Sequence, residues 1–294
     1  MLKIDSVAHR IIIVGGGIIG ATFAYRLALS GADVTLLDAE RKVGGVATPN
    51  SWGWINASWG NAENYFRLRL HSMGLWRKLD KDIPGLAVQW TGGLLWDLPE
   101  ADLRAYVQQQ SGWGYDVRLV DSIEISKLEP NIGVVPQIAA LAVCEGSVEP
   151  TLAVEKILQA ARLLGTDLLQ GVRVKRLVEG DGRIIGVMTD DGILEADDVV
   201  LCAGVATTEL LQPLGLKIEI DTPPGLLVRS EPVGETLNGL VMAPELHVRQ
   251  TPDGRLVAGS DFAGMDPSGD AEAAAEKLFH MLQGFIRGGD ALKL

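Results

Sequence analysis

Cysteine is nearly absent from this chain: Cys144 and Cys202 are the two among 294 residues. They lie in separate segments and form no C-x-x-C pair, which excludes a disulfide framework, a dithiol redox motif and a zinc ribbon. Both read as small buried residues of a protein in a reducing compartment. Histidine is equally scarce. His9, His71, His247 and His280 are scattered without ligand spacing, so no metal site is expected. Basic residues are outnumbered, 26 against 38 acidic, for a net charge of −12. That balance excludes nucleic-acid binding as a main role, because phosphates need a basic face; a small local basic patch stays compatible. No run is long and apolar enough to span a bilayer. The apolar run at Ile11 meets three consecutive glycines and an amphipathic helix, so it does not read as a signal peptide. The expected location is the cytoplasm, with peripheral membrane contact left open.

Apolar residues make up 47% of the chain, enough for one large core or two modest ones. The stretch Arg10 to Asp38 reads as strand, tight turn, helix, second strand and acidic residue. Ile11 to Val14 and Val34 to Leu37 are continuous apolar runs of the kind a buried parallel strand needs. Between them, Gly15, Gly17 and Gly20 have the spacing G-x-G-x-x-G. The first glycine permits the turn, the second lets backbone approach a pyrophosphate, and the third lets helix and strand pack closely. The helix Ile18 to Leu29 then faces the phosphates with free N–H groups and a partial positive charge, and Gly31 sits at its C-terminal cap. Asp38 suits a ribose, while the nearby Arg41 would suit a 2′-phosphate, so the acid alone does not settle the nucleotide. A ligand-free glycine turn in an ordinary α/β domain is the bland alternative; strand, helix and acid together favour dinucleotide binding.

Further along, Asn61 is placed to cap a helix to about Leu79, with Tyr65, Phe66, Leu70, Met73 and Trp76 near one face. Strands are expected near Val88 to Trp96, Asp116 to Leu119 and Ile138 to Val143, with helices over Pro99 to Gly112, Ser122 to Glu129 and Leu152 to Leu164. Hairpins follow, from Val172 to Val178 through Gly180-Asp181-Gly182 into Arg183 to Thr189, then Ile193 to Glu195. Asp198 to Ala203 is another buried strand, followed at once by Gly204. Leu226 to Arg229, His247 to Gln250 and Arg255 to Ala258 are later strands. Asp270 caps a last helix through Ile286, with Ala274, Ala275, Leu278, Leu282 and Phe285 on one face. All seven tryptophans fall between Trp52 and Trp113. Trp52, Trp54 and Trp59 either wall a planar cofactor or simply pack the loop.

The glycine fingerprint, the loop SWGWINASWGN, the meander ending in DGILEADDVVLCAG and the later HVRQTPDGRLVAGS occur in one order. Together they resemble the FAD-dependent amine and amino-acid oxidoreductases of the D-amino acid oxidase and glycine oxidase type, from about Arg10 to the C-terminus. The resemblance implies an α/β fold: a Rossmann-like FAD-binding domain (1–80 and 138–225) interleaved with an α+β substrate domain (81–137 and 226–294). It implies that Gly15, Gly17 and Gly20, with the helix start at Ile18 and Ile19, hold the FAD pyrophosphate. Asp38 and Ala39 would lie at the adenosine ribose. The strand around Val172 and Val174 would present backbone to the adenine, or be a plain hairpin strand. Ala203 and Gly204 would line the cofactor. From Gly44, the loop with Gly45, Val46, Ala47, Thr48 and Trp59 would pass near the flavin.

The implied reaction is hydride transfer from an amine or amino acid to the flavin, giving an imine; the protein aligns the two, and an arginine holds the carboxylate. Arg249 either points into the substrate cavity or sits on the solvated face of its strand, and the second reading is slightly preferred. No catalytic side chain is identified. The resemblance also implies a closing segment beyond the last helix, which this chain would lack; a truncated gene product, a cloning boundary or completion by a second polypeptide would each account for that. The competing readings are a flavin or nicotinamide oxidoreductase of a 2-hydroxy acid, and a non-catalytic or partner-dependent FAD-binding subunit.

Overall fold

A computed structural model describes residues 9–42, 44–58, 60–244, 246–260 and 269–294. The chain divides into two compact units. The first comprises the chain up to Ser51, Ile83–Leu86 and Pro150–Thr222. The second comprises Trp52–Asp82, Ala87–Glu149 and Pro223–Leu294. The expected nucleotide-binding segments, 1–80 and 138–225, reach beyond the first unit: residues 52–80 and 138–149 cluster with the second.

The first unit is built on a four-stranded parallel sheet. Strand β1 (Arg10–Val14) lies between Asp198–Leu201 and β2 (Asp33–Asp38), and Asp167–Gln170 pairs with the outer side of β2. Ile11 to Val14 are all buried, which explains the unbroken apolar run. Helix α1 (Ile18–Leu29) connects β1 to β2. It ends in a Schellman closure, with Gly31 N–H on the Ala28 carbonyl and Ala32 N–H on that of Leu27. Helix Pro150–Leu163 packs against α1. Its buried residues Pro150, Ala153, Val154, Ile157, Leu158 and Ala161 recur every three or four positions, the stripe an amphipathic helix requires. A three-stranded antiparallel sheet, Arg176–Gly180, Arg183–Thr189 and Gly192–Glu195, completes the unit. Its first turn has φ of 50° at Asp181 and 71° at Gly182, the pair of positive values that a two-residue type I′ hairpin demands. Leu177, Val187, Ala196 and Leu210 close a core with Ile12, Val14 and Leu37.

The second unit holds a seven-stranded mixed sheet in the order Val228–Arg229, Leu256–Gly259, Leu246–Gln250, Leu240–Ala243, Gly93–Leu95, Ile138–Ala142 and Val117–Asp121. All pairs are antiparallel except that of Leu240–Ala243 with Gly93–Leu95. Helix Ala271–Phe285 buries Leu278, Phe279 and Leu282 in a core with Leu94, Val241, Val248 and Leu256. Asp270 caps it by accepting from Ala273 N–H at 2.9 Å, as its position before the apolar stripe implies.

Several expectations need correction. The strand expected over Val172 to Val178 begins only at Arg176, because the Val172 N–H donates to the Asp38 carbonyl and Val172–Val174 follows an irregular path. Asn61 does not cap the next helix. Its amide donates to the Ser58 carbonyl at 2.8 Å, the helix runs Glu63–Asp82, and Tyr65 is exposed. Within Val88 to Trp96 only Gly93–Leu95 is a strand, since Gln89 makes an isolated bridge to Ser147. The central strand Leu240–Ala243 and the edge strand Asp167–Gln170 are four residues each without alternation, too short to stand out in the sequence. Among the described residues, no helix is long and apolar enough to cross a membrane.

Candidate functional site

The four parallel strands of the first unit end together, and the residues expected to bind a cofactor follow them directly. Gly15 to Gly20 follow β1, Asp38 ends β2 with Ala39 next, Val172 comes just after Asp167–Gln170, and Ala203 and Gly204 come after Asp198–Leu201. In open α/β sheets, ligands bind beyond this carboxyl edge, where connections leave in opposite directions.

The three glycines are constrained differently. Gly15 has φ of +107°, and a Cβ there would stand 2.4 Å from the Cys202 carbonyl oxygen. At Gly20 a Cβ would stand 1.9 Å from the Gly15 carbonyl oxygen, so α1 sits against the turn with no room for a methyl group. Gly17, the N-cap of α1, has an ordinary φ of −70°. Among the described residues, its Cβ would meet only the Thr48 hydroxyl and the Gly44 carbonyl, at 3.3 and 3.7 Å. The fold therefore requires glycine at 15 and 20, whereas at 17 the missing side chain clears space in front of the helix.

The first bond of the α1 ladder is Ala21 N–H to the Gly17 carbonyl at 2.9 Å, so the N–H groups of Ile18, Ile19 and Gly20 precede it. Ile18 N–H donates to Thr48 Oγ1 at 3.1 Å. The first turn carries no acidic residue, leaving the positive end of the helix uncompensated by its own side chains. Asp38 is buried; its oxygens accept Gly16 N–H at 2.6 Å and Glu40 N–H at 2.8 Å, tying the glycine turn to the end of β2. A carboxylate oxygen accepts more than one hydrogen bond, so a ribose hydroxyl can still be served. Val46 and Ala47 are exposed and Thr48 is buried. Val172 and Val174 pack on the core of the first unit. Trp59 lies outside the described residues. A backbone cradle, an open helix N-terminus and an acid at the second strand are what a dinucleotide pyrophosphate and ribose require, so these residues fit FAD.

The second unit carries a different kind of site. Arg249 is 1% exposed, which overturns the solvated-face reading. Strands either side of Leu246–Gln250 enclose it, and Gly259, Ala258 and Val257 of the neighbouring strand run beside it. Its Nε donates to the Trp52 carbonyl. Among the described residues, Nη1 and Nη2 make no hydrogen bond; the ion pair from Nη2 to Glu149 Oε2 spans 3.6 Å. Glu149 also faces Arg229, at 3.2 Å. Two guanidinium groups thus share one carboxylate, leaving one net positive charge. Burial pulls the Arg249 guanidinium below the usual arginine range, opposed by Glu149 and reinforced by Arg229. Two residues away on the same strand face, His247 lies 3.3 Å from Asp97, and the Trp52 ring is 6.2 Å from that of His247.

Sequence reasoning missed a third cluster. Glu145 is fully buried and accepts from Ser58 Oγ and Tyr115 OH, both at 2.6 Å, and from Trp54 Nε1 at 2.8 Å. Burial pushes its carboxyl up to about 7, against the pull of Ser58, Tyr115, Trp54 and Arg69. Burial, with Glu145 beside it, pushes the Tyr115 hydroxyl far above its usual range. The tryptophan-rich loop was the signal available; nothing in the sequence pairs it with residue 145.

Glycine oxidase of Pseudomonas putida is 28% identical over 302 residues, covering 94% of this chain and 80% of that protein. The 4-methylaminobutanoate oxidase (formaldehyde-forming) of Paenarthrobacter nicotinovorans is 27% identical over 85% of this chain, which spans 31% of that larger protein. L-proline dehydrogenase from P. horikoshii shares the fold, with a TM-score of 0.85 at 22% identity, over 97% of this chain and 79% of its own. Residues 10–290 match the family of FAD dependent oxidoreductases designated DAO, nearly the whole chain and both units. The cofactor is thus FAD rather than another dinucleotide, and the chain belongs to the DAO family of FAD dependent oxidoreductases.

Proposed function

We propose that this protein oxidises an amine or amino acid bearing a carboxylate, using FAD held at the carboxyl edge of the parallel sheet. The buried guanidinium of Arg249 carries the substrate half of the reading. A desolvated cation with two unbonded nitrogens is costly, and a bidentate carboxylate offsets that cost. The names of the relatives agree: glycine oxidase, 4-methylaminobutanoate oxidase and L-proline dehydrogenase all act on amines that carry a carboxylate. Bound FAD supplies an isoalloxazine that accepts a hydride from the carbon bearing the amine.

This chain's own residues bind and orient. Gly17 leaves room for the pyrophosphate, with Gly15 and Gly20 shaping the turn, the Ile19 N–H facing it, and the Ile18 N–H, held by Thr48 Oγ1, at the edge of the cradle. Asp38 takes the ribose, with Ala39 beside it. Val172 and Val174 flank the adenine, Ala203 and Gly204 line the cofactor, and Gly45, Val46, Ala47 and Thr48 pass near the flavin. Arg249 fixes the carboxylate, and through it the direction of the adjacent C–H bond. Of the 1–80 and 138–225 segments, the parts that fall in the first unit form the FAD side of the division, and the second unit forms the substrate side; the cytoplasm is the expected compartment. The test is the visible spectrum of the FAD-loaded protein, titrated anaerobically with glycine, sarcosine, proline and a 2-hydroxy acid. Bleaching by an amine is expected. Bleaching by the hydroxy acid alone would overturn the substrate class, and a flavin that nothing bleaches would favour a non-catalytic FAD-binding role.

A further inference from the structure

We propose that Glu145 is a positioning residue for the Arg249 site: it fixes the Trp54 indole, which sets the stance of Trp52, whose carbonyl aims the Arg249 guanidinium. This rests on the reading of Arg249 as the carboxylate anchor. Glu145 follows the strand Ile138–Ala142 and precedes Gly146–Ser147, which pairs with Trp54–Ile55. Its carboxylate gathers two segments, the loop with Trp54 and Ser58 and the stretch at Tyr115. Oε1 accepts from Ser58 and Tyr115, and Oε2 accepts from Trp54 Nε1. The enclosure is tight, since a Cβ on Gly93 would stand 3.1 Å from Oε2.

A fully buried carboxylate is an expensive way to hold a loop together, and apolar packing often stabilises a fold as well or better. What a carboxylate adds is direction, because each hydrogen bond fixes an orientation that packing leaves free. The indole so fixed meets the Trp52 ring edge-on, with centroids 5.9 Å apart and planes at 79°. Trp52 is tied on its other sides: its Nε1 donates to the Val257 carbonyl at 3.1 Å, and its own carbonyl accepts from Arg249 Nε. With Nε committed to Trp52, Nη1 and Nη2 are left to face a ligand. A tilt of Trp54 thus reaches the guanidinium through one ring contact and one hydrogen bond. The titratable groups facing Glu145 are Arg69, Tyr115 and Cys144, none of which belongs to the Arg249 cluster.

The test uses the FAD-loaded protein and acetate as a minimal carboxylate probe, followed by the flavin visible spectrum. Circular dichroism of the coupled Trp52–Trp54 pair provides a second readout independent of the flavin. In Glu145→Gln the amide places donors where Trp54, Ser58 or Tyr115 already donates. The acetate Kd is expected to rise about tenfold, with a weakened tryptophan couplet and unchanged FAD affinity. Ser58→Ala removes a donor from the same carboxylate without touching Trp54, and its acetate Kd should stay within about twofold. If Glu145→Gln does not fold, Trp54→Phe deletes the indole N–H together with the five-membered ring that carries it, and should shift acetate binding the same way. Wild-type acetate affinity in Glu145→Gln, or in Trp54→Phe where that variant stands in, overturns the proposal. An equal loss in Ser58→Ala also overturns it, since that would mark a general packing role. Arg249→Met separates the two readings: if it binds acetate normally, the carboxylate-anchor reading fails; if it loses acetate while Glu145→Gln does not, only the positioning role falls.

Discussion

The ligand sites proposed at the glycine turn after β1 and on the buried face of the strand Leu246–Gln250 would work by opposite means. At the turn, recognition is backbone: N–H groups at the start of α1, and glycines whose missing side chains clear the approach. On the strand, recognition would be side-chain: the buried Arg249 shares Glu149 with the part-exposed Arg229, and Trp52 aims the buried guanidinium. The backbone site is local, complete within Gly15 to Asp38 and its flanking strand ends. The side-chain site draws on positions 52, 149, 229 and 249, separated by as much as two-thirds of the chain. The first tolerates almost no change in residue size, and the second almost no change in charge.

That contrast is open to direct attack. The largest effect is expected from Gly20→Ala, whose methyl would lie 1.9 Å from the Gly15 carbonyl oxygen. Because α1 must move, urea unfolding should show a loss on the order of 3 kcal/mol or more. Gly45→Ala, with open space around its Cβ, should lose only about 1 kcal/mol from its positive φ. Gly17→Val separates fold from ligand. It should unfold close to the parent, since only Thr48 and Gly44 border the new side chain, yet lose FAD affinity by about 100-fold or more in a fluorescence titration. Wild-type FAD affinity there would break the assignment of the backbone site.

On the side-chain site, Arg249→Met should lower kcat/KM for a carboxylate-bearing amine by about 100-fold, roughly 2.7 kcal/mol. Its stability should be unchanged or raised, because the variant removes a desolvated cation and leaves Glu149 to Arg229. A stability loss without a kinetic one would make Arg249 a structural residue. Asp38→Ala comes next, at about tenfold in FAD affinity, since it removes the ribose acceptor and frees the Gly16 N–H.

The smallest effect is a pH slope. Burial pushes Glu129 and Glu145 up to about 7, so between an ordinary carboxylate pKa of about 4.3 and 7 the folded protein holds protons that the unfolded chain has released. Their contribution to stability is therefore greatest at the acid end and falls as pH rises through that window. Urea midpoints at pH 5 and pH 7.5 should show this, and Glu145→Gln should flatten the slope.

Much of the first unit was legible because its signals are local. Apolar runs mark β1 and β2, Gly31 closes α1, and Asp181-Gly182 makes its turn within two residues. The reading slipped where a competing partner intervened: Val172 reads as strand but gives its N–H to the distant Asp38 carbonyl, and Asn61 reads as a helix cap but turns its amide back to the Ser58 carbonyl three residues earlier. Leu240–Ala243 is four apolar residues with no alternation, and only its place between two other strands makes it central.

The sequence by itself determined the glycine turn, because a glycine's permitted φ and missing Cβ act on the nearest backbone whatever the rest of the chain does; the family and FAD were legible only through the resemblance its motifs carry. Only the tertiary structure decided that Arg249 is buried rather than solvated, and that Glu145 gathers Trp54, Ser58 and Tyr115. Burial and charge pairing are properties of the whole packed unit, and an arginine or glutamate on its own carries no record of what will surround it.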